Sequence, residues 1–261
     1  MERTIGNCKV AFIGSGNVAT NFAKALKGKT DIIQIYSSTL TNAERLARIV
    51  GCDNFTNNPD NLTRDADIYI VAVKDDALNG IAQQFKGWGG LWLHTSGTTD
   101  MLIFAHTREN YGVLYPLQTL TRSKDLTMSH VPMFIEANND DNLETVKSLA
   151  ETMGATDIKK CSSSQRMKLH IAAVFACNFV NHILMHSQQL LQNAGTELSA
   201  LAPLIKETIG KAISDENLET VQTGPARRGD MNIIDKHITA LDGEKKEIYT
   251  FLSNEIIRHY Q

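Results

Sequence analysis

Along the first 160 residues, short unbroken apolar runs alternate with amphipathic segments. Lys9–Ile13 (K-V-A-F-I), Asp31–Tyr36 (D-I-I-Q-I-Y), 68–73 (I-Y-I-V-A-V), 91–93, 111–114 and 131–137 are such runs. Continuous apolar stretches of this length predict strands buried on both faces of a parallel sheet. Between them, 17–27, 43–50, 77–85 and 142–153 read as helices, with Gly28, Gly51 and Gly154 as stops. A short helix is predicted at 100–105, a mostly looped stretch at 51–64, and an edge strand at 156–159. Six or more strands alternating with helices predict an α/β fold with a doubly wound, mostly parallel sheet over residues 1–160.

After Cys161 the pattern becomes helical. Ser162-Ser163-Ser164-Gln165 offers N-cap hydroxyls, and one uninterrupted helix is predicted to about residue 193, stopped at Gly195. It spans roughly 30 residues, about 45 Å at 1.5 Å per residue. It is apolar nearly all round, which predicts burial between helices or subunits. One subunit can hardly cover such a helix, so a homodimer formed through the C-terminal helices is expected. Further helices at 199–212, 217–220, 233–241 and 244–259 complete an all-α domain over residues 161–261.

Composition narrows the classes. With 42% hydrophobic and 21% charged residues, the 261-residue chain reads as an ordinary globular protein. A formal net charge of -3 gives no basic footprint for nucleic acid or an anionic membrane. Cys8, Cys52, Cys161 and Cys177 are far apart, so neither a disulfide framework nor structural zinc is expected. The N-terminus has no signal-peptide pattern, and the apolar run 171–180 is too short to span a bilayer and holds Asn178. A cytoplasmic protein is expected.

The chemistry concentrates at the first strand's end. Gly14-Ser15-Gly16-Asn17-Val18-Ala19 is a G-x-G-x-x-A pattern between a strand and a helix, the dinucleotide-binding fingerprint. Gly14 takes the tight turn, Gly16 allows close approach of a pyrophosphate, and Ala19 lets helix pack on sheet. The phosphates would sit on the free N–H groups of the helix start, so Gly14, Ser15, Gly16, Asn17 and Val18 are cofactor candidates. Where an NAD-binding chain carries a carboxylate for the ribose hydroxyls, this one has Tyr36-Ser37-Ser38-Thr39. Hydroxyls at Ser37, Ser38 and Thr39, with no carboxylate to repel a 2′-phosphate, favour NADP over NAD. The usual arginine is missing there; Arg45 and Arg48 come further into the helix.

Other candidates lie at later strand ends, where ligands bind in such sheets. Val73 and Lys74 end the third long run, and Asp75 or Asp76 reads as a helix N-cap. His94-Thr95-Ser96-Gly97 follows the next run, making His94 and Ser96 site candidates, with Tyr115 and Gln118 at the same rim. On the long helix, His170, Cys177, Asn181 and Gln188 fall within about 20° of one line at 100° per residue, with Asn178 about 80° away. His170 stands where the two halves meet. His182 and His186 are spaced i, i+4 but lack the glutamate of H-E-x-x-H and an evident third ligand, so no metal is expected. The loop 222–230 holds Arg227 and Arg228, either of which suits a substrate carboxylate or phosphate.

G-S-G-N-V-A, H-T-S-G, Y-P-L-Q-T, S-S-S-Q-R-M-K-L-H-x-A-A-V-F-A-C-N-F-V-N-H and Q-T-G-P-A-x-R-G-D together resemble one family along nearly the whole chain. It is an uncharacterised bacterial family of NADP oxidoreductases that join a Rossmann-like domain to a helical domain of unknown function. More distantly, the first half is similar to pyrroline-5-carboxylate reductase and deazaflavin-dependent NADP oxidoreductases. The second half resembles the C-terminal dimerisation domain of 6-phosphogluconate dehydrogenase and ketopantoate reductase. In those enzymes a lysine and an asparagine on the long helix orient substrate and serve in proton transfer. His170 stands near the lysine's place, Asn178 falls at a family asparagine, Val174 replaces another, and Lys168 faces elsewhere.

The resulting expectation is hydride transfer between NADP(H) and a small carbonyl, imine or hydroxy acid. His170, His94 and Tyr115 are the acid–base candidates, Asn178 an orienting group, and Gln118, Asn181 and Arg227 substrate contacts. Two alternatives stay open: a non-catalytic NADP(H)-binding or sensing dimer, and hydride exchange with a deazaflavin.

Overall fold

The structure, a computed structural model, describes residues 5–122, 126–214 and 217–261. Its sheet has eight strands: β1 (Lys9–Ile13), β2 (Asp31–Tyr36), β3 (Phe55–Thr56), β4 (Ile68–Val71), β5 (Leu91–His94), β6 (Asn110–Pro116), β7 (Met133–Ala137) and β8 (Ile158–Lys160). Their spatial order is β3-β2-β1-β4-β5-β6-β7-β8. β1 to β6 run parallel, β7 is antiparallel to β6, and β8 is parallel to β7. This is the doubly wound arrangement, in which strand order reverses between β1 and β4.

The apolar runs are continuous because both sheet faces are covered. Along β1, Val10 and Phe12 belong to one buried cluster with Phe22, Leu46 and Leu149. Ala11 and Ile13 belong to another with Leu78, Ile81 and Trp92. The first cluster packs α1 (Asn17–Leu26), α2 (Leu40–Val50) and α4 (Asp140–Met153); the second packs α3 (Asp75–Gln84). Each large side chain so buried contributes about 1.5–3 kcal/mol. The stretch predicted as a helix at 100–105 is only a four-residue 3-10 turn, Met101–Phe104, which Asp100 starts by accepting from the Leu102 N–H at 2.8 Å. Asp75 and Asp76 stand in the first turn of α3, with Lys74 at the N-cap, so neither is the cap expected.

The chain divides into two compact units, one ending at Cys177 and the other running from Asn178 to Gln261. The division falls inside the long helix, later than the change of pattern at 161. That helix is not uniform: α5 (Ser163–Ala173) and α6 (Val180–Asn193) are separated by a π-helical turn, Val174–Phe179. A π turn takes more residues per turn, so a line drawn at 100° per residue from His170 does not carry through to Asn181.

The second unit contains α6, α7 (Ala202–Ser214), α8 (Leu218–Val221), α9 (Pro225–Arg228), α10 (Met231–Ala240) and α11 (Gly243–Tyr260). Among its described apolar residues only Ala226 and Ile234 are buried, while Ile213 is 80% and Phe251 64% exposed. Over 163–193 the helix is also long and apolar enough, by length and composition alone, to cross a membrane.

Candidate active site

A cleft of about 860 Å³ opens at the carboxyl ends of β1, β2, β4, β5 and β6. Residues 14–18, 36–38 and 72–75 line it, with Ala77, Ile81, Thr95, Ser96, Gly97, Tyr115, Arg122 and His170. Gly14 has φ +111°, and a Cβ there would lie 2.2 Å from the Ala72 carbonyl oxygen. Only glycine fits, and its N–H donates to the Tyr36 carbonyl at 2.8 Å. Gly16 differs: a Cβ there meets no protein atom within 4 Å. It would instead project into the cleft at the start of α1, which no side chain caps. The unpaired N–H groups of a first helical turn and its positive dipole end face open space there, a fit for a pyrophosphate.

Asn17 and Asn21 pin a neighbouring segment over this helix start. Asn17 Nδ2 donates to the Leu120 carbonyl at 2.9 Å and Asn21 Nδ2 to that of Thr121 at 3.1 Å. Arg122 thereby reaches the cleft. At the end of β2, Ser15 Oγ donates to Ser37 Oγ at 2.8 Å, and Ser38 lines the same wall. Thr39 does not line it; it is exposed at the N-cap of α2, its carbonyl accepting from Asn42 and Ala43.

His94, the last residue of β5, is 0% exposed and does not line the cleft. Its Nδ1 accepts from the Ser96 N–H at 3.2 Å, and its Nε2 is buried with no partner. Burial, assisted by the nearby Arg166 charge, lowers its pKa to about 3. A neutral imidazole sealed in the core is a packing group, which removes His94 from the acid–base candidates. Ser96 Oγ is committed to its own turn, accepting from the N–H of Thr98 (3.1 Å) and of Thr99 (2.9 Å). Thr98 Oγ1 in turn donates to the Asp75 carboxylate.

Tyr115 and His170 do meet in the cleft. Tyr115, near the end of β6, is buried, and its Oη lies 3.0 Å from His170 Nδ1 on α5. Burial raises the phenol's pKa against the smaller opposing pull of Arg166, so the phenol is protonated at neutral pH. Gly97 makes the approach possible, because a Cβ there would lie 2.6 Å from His170 Nδ1.

Arg166, one turn before His170, ties the start of α5 to the sheet. Its guanidinium, 1% exposed, pairs with Glu136 at 2.6 Å and donates to the carbonyls of Ser96 (3.1 Å) and Thr99 (2.5 Å). Glu136 also takes the N–H and hydroxyl of Ser163, at 3.0 and 2.7 Å. Ser162 and Gln165 form a capping box at the same helix start. Sequence reasoning missed Arg166, Glu136 and Arg122. Two signals were available: a carboxylate inside the apolar run 131–137, and an arginine spaced i, i+4 from His170.

The other expected site residues lie elsewhere. Gln118 turns onto its own loop, its Oε1 accepting from the Thr119 N–H at 2.9 Å, beside a separate small cavity. Asn178 and Asn181 are exposed residues of the second unit. Arg227 is exposed there too, with its guanidinium 4.3 Å from the centre of the Tyr260 ring. The Nε2 atoms of His182 and His186 face each other at 3.2 Å. Among the described residues no three His, Cys, Asp or Glu side chains are grouped to hold a metal.

Strand order and glycine turn define a Rossmann-type fold, with its cleft at the carboxyl ends of the strands. Residues 9–90 match the family described as NADP oxidoreductase, coenzyme F420-dependent, and residues 131–256 match a domain of unknown function, DUF2520. A Bacteroides fragilis protein described as a putative NADP oxidoreductase is 35% identical, covers 97% of this chain and 99% of its own, and superposes with a TM-score of 0.89. The chain belongs to that protein's family of NADP oxidoreductases. Two more distant structures share the fold: protein TM1727 from Thermotoga maritima (22% identity, 96% of each chain, TM-score 0.69) and 1-pyrroline-5-carboxylate reductase from Streptococcus pyogenes (12%, 98% of each, 0.64). No curated protein matches the chain significantly in sequence.

Proposed function

We propose that the protein, as a homodimer, transfers a hydride between NADP(H) and a small carbonyl, imine or hydroxy acid. The observation that carries this reading is the Tyr115–His170 pair lining the same cleft as the uncapped start of α1. NADPH, when bound, supplies the hydride. The chain's residues handle the proton: the substrate oxygen or nitrogen gains negative charge during reduction, and Tyr115 Oη donates to it. The His170 ring, whose Nδ1 lies 3.0 Å behind, takes the replacement proton from solvent on its other nitrogen and hands its Nδ1 proton to the phenolate, ending neutral. In the oxidation direction the same two atoms pass the proton outward. Residues 14–18 hold the pyrophosphate, and the Ser37 and Ser38 hydroxyls favour NADP over NAD.

A second copy is the proposed cover for the apolar second unit, because a unit that buries so few apolar side chains has little core of its own. Hydride exchange with a deazaflavin is a second reading, favoured by the family matched over residues 9–90. The test is substrate-dependent loss of NADPH absorbance over a panel of carbonyls, imines and a deazaflavin. The proposal expects turnover that His170→Ala abolishes while NADPH still binds. NADPH binding without turnover across the panel would favour a sensing role instead.

A further inference from the structure

We infer that Arg45 selects NADP over NAD by gripping the phosphate monoester on the 2′ position of the adenosine ribose. This rests on the cofactor cleft proposed above. By position, Arg45 lies in the second turn of α2, beyond the hydroxyls that end β2. Its side chain nevertheless turns back toward the glycine loop, where Nη2 donates to the Ser15 carbonyl at 3.3 Å. Ser15 Oγ donates in turn to Ser37 Oγ at 2.8 Å, so guanidinium and both hydroxyls form one cluster. Ser15, Ser37 and Ser38 face the cleft.

Charge decides between the two dinucleotides. Hydroxyls with no carboxylate beside them admit a 2′-phosphate without repelling it, but they add no charge to attract it. A cation does, because a guanidinium presents several donors matched to a phosphate's oxygens and attracts its charge. No carboxylate among the described residues neutralises Arg45, whereas Arg48, on the next turn, is paired with Glu44 at 2.6 Å. Among the described residues, only Nη2 of the Arg45 fork has a protein partner. The uncapped N-terminus of α2 adds a positive dipole end at the same corner.

The experiment measures dissociation constants of the full-length protein for NADPH, NADH, 2′,5′-ADP and 5′-ADP, by calorimetry or fluorescence quenching. In Arg45→Gln, NADPH and 2′,5′-ADP should bind about 10- to 100-fold more weakly, while NADH and 5′-ADP stay within about 2-fold. Arg45→Lys should recover part of the loss, and the salt dependence of NADPH binding should flatten in Arg45→Gln. An unchanged NADPH-to-NADH preference in a folded Arg45→Gln, or equal loss for both dinucleotides, would overturn this inference and leave the cofactor reading standing. Wild-type protein that binds neither dinucleotide would overturn the cofactor reading itself.

Discussion

Tyr115 Oη and His170 Nδ1 stand 3.0 Å apart, although 55 residues separate them in the chain. One comes from a sheet strand and the other from the first helix after the sheet, so the pair exists only when α5 is docked on β6. Its environment splits the work: burial keeps the phenol protonated, and a ring nitrogen lies directly behind it to exchange the proton.

Tyr115→Phe tests the phenol alone, since the ring is kept and only Oη is lost. Turnover of the best substrate should fall roughly 10²- to 10⁴-fold, the range for loss of a general acid. The dissociation constant for NADPH should stay within about 3-fold. Stopped-flow hydride transfer and a binding titration on the same preparation separate the two effects.

Gly97→Ala tests positioning. The added methyl would lie 2.6 Å from His170 Nδ1 and 3.0 Å from a Tyr115 ring carbon, so the imidazole must move off the phenol. A shift of about 1 Å at reacting groups is enough for a roughly 10²-fold loss of rate. Gly16→Ala has open space instead, so it should fold normally and lose affinity for NADPH by crowding the phosphate end.

Arg166→Met should destabilise the first unit by about 3–5 kcal/mol in urea unfolding, because it leaves Glu136 without its buried partner. The double variant Arg166→Met, Glu136→Met should be less damaged than the single one. Equal damage would mean that the carbonyls of Ser96 and Thr99, and not the ion pair, are what Arg166 serves.

Much of this architecture was legible in the chain, and the gaps have physical causes. Strands β1, β2 and β4 announced themselves because a sheet covered on both faces demands unbroken apolar runs, and Gly14 because its turn admits no side chain. His94 misled because a histidine at a strand's carboxyl end looks the same whether it faces the cleft or the core. Only burial distinguishes the two. Thr39 misled because a β2 end that curls into α2 turns its third hydroxyl outward. Glu136 and Arg166 escaped because their partnership spans 30 residues and three elements, and no local pattern encodes it.

His94 makes stability depend on acid. Its native pKa is about 3 against an ordinary 6.5, so between those values the unfolded chain takes up a proton that the native state refuses. Stability is therefore full above pH 6.5 and declines as pH falls toward 3, with a slope of at most about 1.4 kcal/mol per pH unit. His94→Asn, whose side-chain oxygen can take the Ser96 N–H in place of Nδ1, should flatten that decline in urea midpoints measured from pH 7 to 4.

Phe251→Lys addresses assembly. Phe251, 64% exposed, lines an apolar groove with Phe179, Ile183 and Leu252, and a charge there should break the proposed dimer. Light scattering should read a dimer for the wild type and a monomer, or a much weaker dimer, for the variant. A monomeric wild type that partitions onto lipid vesicles would overturn the second-copy assignment.

The central claim is that a nicotinamide lies against the Tyr115–His170 pair while its pyrophosphate rests on the start of α1. A crystal structure of the NADP complex measures this directly. Density for the pyrophosphate is expected at residues 16–18, with the nicotinamide ring beside Gly97 and its reactive carbon open to Tyr115 Oη. A nicotinamide turned out of the cleft, or a dinucleotide bound away from Gly16, would contradict it.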